Sequence, residues 1–117
     1  MDMQKFLILT GLNFDDFRLK EEDFDHHSER HGILHTYRVM WLVLLIAWKC
    51  NLKEEARLAF CAAYIHDMSR KHDGFCQAHG LQAAINKFPL YSKMFYRNGI
   101  RESQANEIKK AVEMHSQ

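Results

Sequence analysis

Apolar residues recur at spacings of three and four along most of the 117-residue chain, which is the period of an amphipathic helix. A continuous apolar stretch, residues 40–48, lies between Gly32 and Asn51 and predicts one long helix there. The whole pattern predicts helices near residues 33–49, 53–68, 77–87, 91–97 and 104–115, after one short helix before residue 30. Pro89 is expected to end the third of these, because the residue before a proline disfavours the helical conformation. Ser103 is expected to cap the last.

Composition adds a fold class to this pattern. The chain has one proline, five glycines and few of the valines and threonines that strands favour. We therefore expect an all-α domain, a compact bundle of about five to six helices with residues 40–48 buried at its centre. Those residues are too few to cross a bilayer, which requires a run of about 20.

Length, charge and cysteines limit the partners. The chain suffices for one small domain, and its net charge of +1, with both signs mixed along the sequence, gives no electrostatic reason to expect nucleic acid or an anionic membrane. Cys50, Cys61 and Cys76 are an odd number without C-x-x-C spacing, which favours reduced thiols in a cytosol. The apolar residues 6–12 lack a signal-peptide cleavage site. We expect a cytoplasmic protein without a membrane partner; a homo-oligomer is compatible with the sequence.

Eight histidines in so short a chain are the unusual feature of its composition. Four of them continue the apolar face of a predicted helix, each on a different helix. These sets are His35 with Val39, Leu42 and Ile46; His66 with Ala59, Ala62 and Ala63; His79 with Ala83; and His115 with Ile108, Ala111 and Val112. The remaining four, which fall at a helix start or in loops, are expected to be solvated or structural: His26, His27, His31 and His72.

Asp67 follows His66 directly and makes these histidines a candidate metal site. A carboxylate among imidazoles in an apolar interior is costly unless a cation joins it. Imidazole and carboxylate ligands together suit Zn, Mn, Fe, Co or Ni. From spacing alone, a polar core in which each imidazole is hydrogen-bonded explains the pattern equally well.

Several strings of residues resemble the HD superfamily of metal-dependent phosphohydrolases. The string HTYRV at residues 35–39 resembles the H-x-x-R-V segment that opens the family pattern. The string HDMSR at 66–70, with DG at 73–74 and HG at 79–80, is similar to the family's H-D-x-x-R…D-G…H-G run. The string EMHS at 113–116 resembles the later helix that carries the next ligand histidine. Four elements in this order are a more specific signal than the HD dipeptide alone.

The resemblance implies an HD-type helical bundle and a set of metal ligands. His35, His66 and Asp67 would hold one divalent ion. In two-ion members of the family, Asp67 would bridge to a second ion held by His79 and His115. The cofactor would be one or two ions of Mn, Fe, Co, Ni, Zn or Mg.

The implied activity is hydrolysis of a nucleotide or another phosphate ester by metal-activated water. Asp67, mainly a ligand, would also orient that water, and Arg70 would neutralise the substrate phosphate and stabilise the transferring group. Lys71 would assist in binding the substrate, unless it is an ordinary solvated loop charge. Asp73 would either shape its turn with Gly74 or touch the substrate. The expected partner is a phosphorylated small molecule.

One departure separates this sequence from the family pattern, which closes with an aspartate on a later helix that completes the first metal's shell. The sequence ends at Gln117, and no earlier aspartate stands at the corresponding place. We therefore expect residues 1–30 to form an N-terminal helical segment and residues 31–117 an HD-type domain that lacks this ligand. Two functions are compatible with that: a phosphohydrolase, or a non-catalytic HD-like domain that binds metal or a phosphorylated ligand. A helical interaction protein with a polar core and no metal is a third.

Overall fold

The computed structural model describes residues 1–28, 30–74 and 78–114. Within those ranges the chain forms α1 (Met3–Thr10), α2 (Ile33–Cys50), α3 (Lys53–Ile65), α4 (His79–Gln82), α5 (Phe88–Arg97) and α6 (Ala105–Met114). A π-helical segment, Ala83–Lys87, joins α4 to α5 without a break, so the helices form five units. No strand occurs in the described residues. The prediction of an all-α fold of about five to six helices is confirmed.

Local chemistry sets the ends of the first two helices. The Asp2 carboxylate accepts the backbone N–H of Lys5 at 2.7 Å and caps α1, which ends at Gly11 in the left-handed region with φ of +73°. Asn51 ends α2 with φ of +56°, and its N–H donates to the Trp48 carbonyl at 3.1 Å. The long helix therefore lies where the sequence predicts it.

The prediction that Pro89 ends a helix is wrong. Pro89 lies in the first turn of α5, directly after the π-helical segment. In that segment the Phe88 N–H bonds to the carbonyl of Ala83, five residues earlier. A proline lacks an N–H and clashes with a carbonyl four residues back, and the wider π turn accommodates both effects. The helix consequently continues through the proline.

Two further predicted boundaries move by a few residues. The second helix ends at Ile65 instead of near residue 68, and residues 66–69 form a tight turn. Ser103 lies inside a 3₁₀ turn, Glu102–Gln104, and does not cap the last helix. The Gln104 side chain instead accepts the backbone N–H of Arg101 at 2.9 Å, which closes that turn.

The helix at the centre of the core is α3. It contacts α1, α2, α6 and the π-helical segment. Its buried side chains meet aromatic rings from neighbouring elements: the ring of Phe17 lies 4.8 Å from that of Phe60 and 5.3 Å from that of Tyr64, both edge to face. These contacts anchor the C-terminal half of α3, which leads directly into the candidate site.

The expectation that residues 40–48 are buried at the centre of the bundle is wrong. The face of α2 that packs on α3 buries Met40, Leu44 and Ala47, at helical spacing. Leu42 and Ile46, on another face, are each 53% exposed. The run is apolar all round, but a neighbouring helix covers only one side of it.

By length and composition alone, α2 is apolar enough to cross a membrane, and among the described residues only this helix is. The mean hydropathy of its 18 residues is 1.3, and 22% of the segment is buried inside the fold. Packed helices of globular domains pass the same test, so the finding is weak evidence. The absence of a membrane partner and the cytoplasmic location stay predictions.

Candidate metal centre

Three chain segments bring four sequence-predicted site residues together. His35 lies in the first turn of α2, His66 follows the last residue of α3, Asp67 comes next in the turn, and His79 is the first residue of α4. Because each residue sits at a helix end, its side chain reaches the place where the three ends meet. His115, the fifth predicted ligand, lies outside the described residues.

One carboxylate oxygen faces two imidazoles. The Oδ2 atom of Asp67 is 3.2 Å from Nε2 of His35 and 3.2 Å from Nε2 of His66. The three side chains each offer a donor atom, and these atoms all lie within 4.8 Å of one another. Ligands at about 2.1 Å from one ion lie roughly 3.0–3.4 Å apart in octahedral or tetrahedral geometry. The two nitrogen–oxygen distances fit neighbouring ligands of a shared ion, and they fit hydrogen bonds equally well.

The hydrogen bond on the far side of the His66 ring fixes its tautomer. Nδ1 of His66 lies 2.5 Å from the carbonyl oxygen of Ala63, which can only accept, so Nδ1 carries the proton. In the neutral ring, Nε2 then presents a lone pair to the Asp67 carboxylate. Two acceptors that face each other require a cation between them, either a proton or a metal ion. A backbone carbonyl that holds the remote ring nitrogen is also the usual support of a metal-ligating histidine.

Burial makes the need for a cation strongest at Asp67. Its side chain is 2% exposed, and that of His66 is buried as well, whereas His35 is 36% exposed. An anionic carboxylate at that depth needs nearby positive charge. Solvent or a ligand reaches the cluster from the side of His35. The arrangement is thus a buried anionic base with one accessible edge.

The second carboxylate oxygen of Asp67 faces the other way. Its Oδ1 is 3.2 Å from Nε2 of His79 and 3.3 Å from Nε of Arg70. His79 therefore meets a different carboxylate oxygen of Asp67 from the one that His35 and His66 meet. Asp67 contacts every predicted ligand that the structure describes.

Arg70 connects the cluster to the following loop. Its Nε donates to Asp67, and its Nη1 donates to the carbonyls of Gly74 at 2.8 Å and His72 at 3.2 Å. The side chain is only 14% exposed. Lys71, by contrast, is exposed on the same loop. Arg70 thus touches protein acceptors with two of its nitrogens and holds the loop against Asp67.

A second carboxylate cluster, which the sequence did not indicate, lies on that loop. Oδ1 of Asp73 accepts a short hydrogen bond from the Ser28 hydroxyl and lies 3.5 Å from both Nε2 of His26 and Nδ1 of His31. The Ser28 hydrogen bond, followed by the nearby imidazoles, holds the pKa of Asp73 below its usual value. The ring of His31 also lies edge to face with that of His35, at 5.5 Å. These contacts match neither role considered for Asp73, because they join its carboxylate to side chains 42–47 residues earlier and not to its own turn or to a substrate.

Comparison of the chain with profiles of known protein families, with curated protein sequences and with solved structures found no match. The similarity to the HD superfamily therefore depends on the strings of residues given above. The candidate metal centre is inferred only from the geometry of His35, His66 and Asp67.

Proposed function

We propose that the chain is a metal-dependent phosphohydrolase of the HD type, which acts on a nucleotide or another phosphate ester. The observation that supports it is the convergence of His35, His66 and Asp67, whose donor atoms gather within 4.8 Å. The order of these residues along the chain is that of the HD pattern. Imidazole and carboxylate ligands together suit a divalent transition-metal ion.

In this proposal each residue has a defined task. His35, His66 and Asp67 hold the ion, which, when bound, acidifies water and polarises a phosphoryl oxygen. Asp67 also orients the attacking water from its buried position. Arg70 fixes Asp67 through Nε and adds a positive charge beside the site, which would offset the charge of a bound phosphate. Lys71 assists from the exposed loop.

The contacts of Asp67 leave room for one ion or two. His35, His66 and Asp67 would hold the first ion, and His79, whose Nε2 is 3.2 Å from Oδ1 of Asp67, would help to hold a second. His115 is the further ligand that the HD pattern assigns to that second ion. The substrate edge of the site is the side of His35, since this imidazole is the most accessible of those around Asp67.

Metal analysis of protein purified without added metal tests the proposal directly. We expect about one or two ions per chain in the unsubstituted protein and none in Asp67→Ala or His66→Ala. Each protein would then be assayed with Mn, Co, Ni, Mg and Zn on nucleotides and generic phosphate esters. Unchanged metal content in both variants would contradict the proposal, as would a metal-loaded protein that neither binds nor hydrolyses any phosphate ester.

A second candidate is a non-catalytic domain of the same type that binds metal or a phosphorylated ligand. Two observations favour it: three donors surround the first metal position in the described residues, and Arg70 directs two nitrogens to protein acceptors. We expect weaker metal binding than with a further anionic ligand, and low turnover unless association covers the open side. Metal-dependent phosphate binding without turnover identifies this second candidate.

A further inference from the structure

An apolar groove opens directly at the candidate metal centre. It has a volume of about 340 Å³ and runs between α2, α3 and α6. His35 and His66, two of the proposed metal ligands, line one end of it. Its walls away from that end include Val39, Val43, Ala59, Ala62, Ala111 and Val112.

The chemistry of the groove is uniform. Apart from the two imidazoles, every side chain that lines it among the described residues is alanine or valine. Such walls offer no side-chain hydrogen bond to the hydroxyl groups of a sugar or to the edge of a base. Polar groups placed there would lose their water without replacement, which is unfavourable. An apolar group of the right size would instead be stabilised in proportion to the surface it buries.

We infer that the groove binds the organic part of an amphiphilic phosphate ester, whose phosphoryl group lies at the metal end and whose alkyl or aryl group lies along the valines and alanines. This rests on the proposed function, since the metal supplies the anchor for the phosphoryl group. It narrows the substrate class from phosphate esters in general to those with an apolar body. Sugar phosphates are then poor ligands.

The size of the groove favours a small molecule over a helix from another chain. Small-molecule sites have volumes of about 300–1,000 Å³. A helix about 10 Å across that rises 1.5 Å per residue fills roughly 120 Å³ per residue. The groove would therefore enclose only about three whole residues of a helix, and a docked helix would have to lay one face along it instead. Leu42 and Ile46 lie beside it and are exposed, so a second copy of the chain is the competing occupant.

The test uses alkylphosphonates, which cannot be hydrolysed, from methyl to n-hexyl. Calorimetric titration of the Mn-loaded protein should show binding that tightens about threefold with each methylene that enters the groove. The hexyl compound should bind at least about 30-fold more tightly than the methyl compound. Without Mn, both should bind weakly, because the phosphoryl anchor is missing.

Two exposed positions on α6 give a matched pair of variants. Ala111→Leu places a larger apolar side chain at the groove and should reduce the hexyl-to-methyl affinity ratio by about tenfold. Asn106→Leu adds a leucine to the same helix away from the groove and should leave the ratio unchanged. Methylphosphonate has no alkyl chain to place along the groove, so its binding should be the same in both variants.

The outcomes of these experiments distinguish the groove assignment from the phosphohydrolase proposal. Equal affinity for methyl and hexyl compounds, with binding that requires Mn, would overturn the groove assignment and leave the phosphohydrolase proposal standing. A metal-loaded protein that binds neither compound would overturn the phosphohydrolase proposal itself. Sedimentation that shows a dimer dissociated by Ala111→Leu, with an unchanged affinity ratio, would assign the groove to a second copy and overturn the inference.

Discussion

Asp67 and Asp73 lie six residues apart on one loop, and each has two or more imidazoles around it, yet they differ in nearly every other respect. The side chain of Asp67 is 2% exposed, whereas that of Asp73 is 40% exposed. Asp67 meets His35, His66, His79 and Arg70, all through nitrogen atoms at 3.2–3.3 Å. Asp73 accepts a hydrogen bond from one hydroxyl and lies 3.5 Å from each of two imidazole nitrogens. Its exposed side faces solvent.

Burial, more than residue type, distinguishes the candidate metal site at Asp67 from the hydrogen-bonded cluster at Asp73. A half-exposed carboxylate is stabilised by water and by one strong hydrogen bond, so Asp73 needs no ion. A buried carboxylate has only its protein neighbours to balance its charge. Among the described residues, three donor atoms gather within 4.8 Å of one another at Asp67, and Asp73 belongs to no such group. Asp73 instead ties Ser28 and the α2 entrance to the loop after Asp67.

The largest expected difference is between Asp67→Ala and Asp73→Ala. Metal at 100 times its Kd should stabilise the unsubstituted protein by about 2.7 kcal/mol, because it binds only the folded state. Asp67→Ala should lose all of this increment, and Asp73→Ala should keep it. Thermal unfolding with and without Mn measures both. A similar metal-induced rise in Tm for the two variants would show that the metal does not bind at Asp67.

Next in size is the effect of the histidines on metal affinity. His66→Ala should weaken metal binding by more than about 100-fold, since removal of a supporting residue alone typically costs 10–100-fold and His66 is itself a proposed ligand. His26→Ala, which removes an imidazole from Asp73 instead, serves as the control and should bind metal normally. Titration with Co, followed by its visible absorption, gives both constants. A similar loss of metal affinity in both variants would mean that the clusters around Asp67 and Asp73 bind the metal together.

A smaller effect is expected at Arg70, which links the two clusters. Arg70→Gln removes the charge that faces Asp67 and the donors to the Gly74 and His72 carbonyls, so metal affinity should fall by about 10–100-fold. Arg38→Gln changes an exposed arginine on α2 and should have no effect. If Arg70→Gln raised only the KM for a phosphate ester and left metal affinity intact, Arg70 would bind substrate instead of positioning Asp67.

The helices and the inward faces of His66 and His79 were predictable because both follow from local periodicity, whereas the contact of Arg70 with Asp67 was not predicted. His66 and His79 continue apolar faces, and Asp67 is adjacent to one of them, so their convergence needed only that those faces pack. The exposed faces of α2 were not predictable, since an all-apolar run does not reveal which side a neighbour covers. The prediction that a helix ends before Pro89 failed because the π turn that accommodates this proline has no signal in the sequence. The partners of Asp73 are 42–47 residues away along the chain, beyond any helical spacing.

The smallest expected effect is the pH dependence of stability that comes from Asp73 and its partners Ser28, His26 and His31. The Ser28 hydroxyl, and then the imidazoles, lower the pKa of Asp73 in the folded state from the ordinary value of 3.8. A group with a depressed folded pKa adds stability that is present above its unfolded pKa and is lost as the pH falls through the folded value. Asp73→Asn should therefore be less stable than the unsubstituted protein at pH 6, and this difference should shrink below about pH 3.8. Urea unfolding at a series of pH values measures it.

Ser28→Ala should remove most of the same pH dependence, because the hydroxyl is the largest cause of the shift in the pKa of Asp73. The effect is small because solvent screens so exposed a carboxylate. A pH dependence that survives both substitutions would assign the acid sensitivity to other groups, with the buried cluster around Asp67 as the first to test.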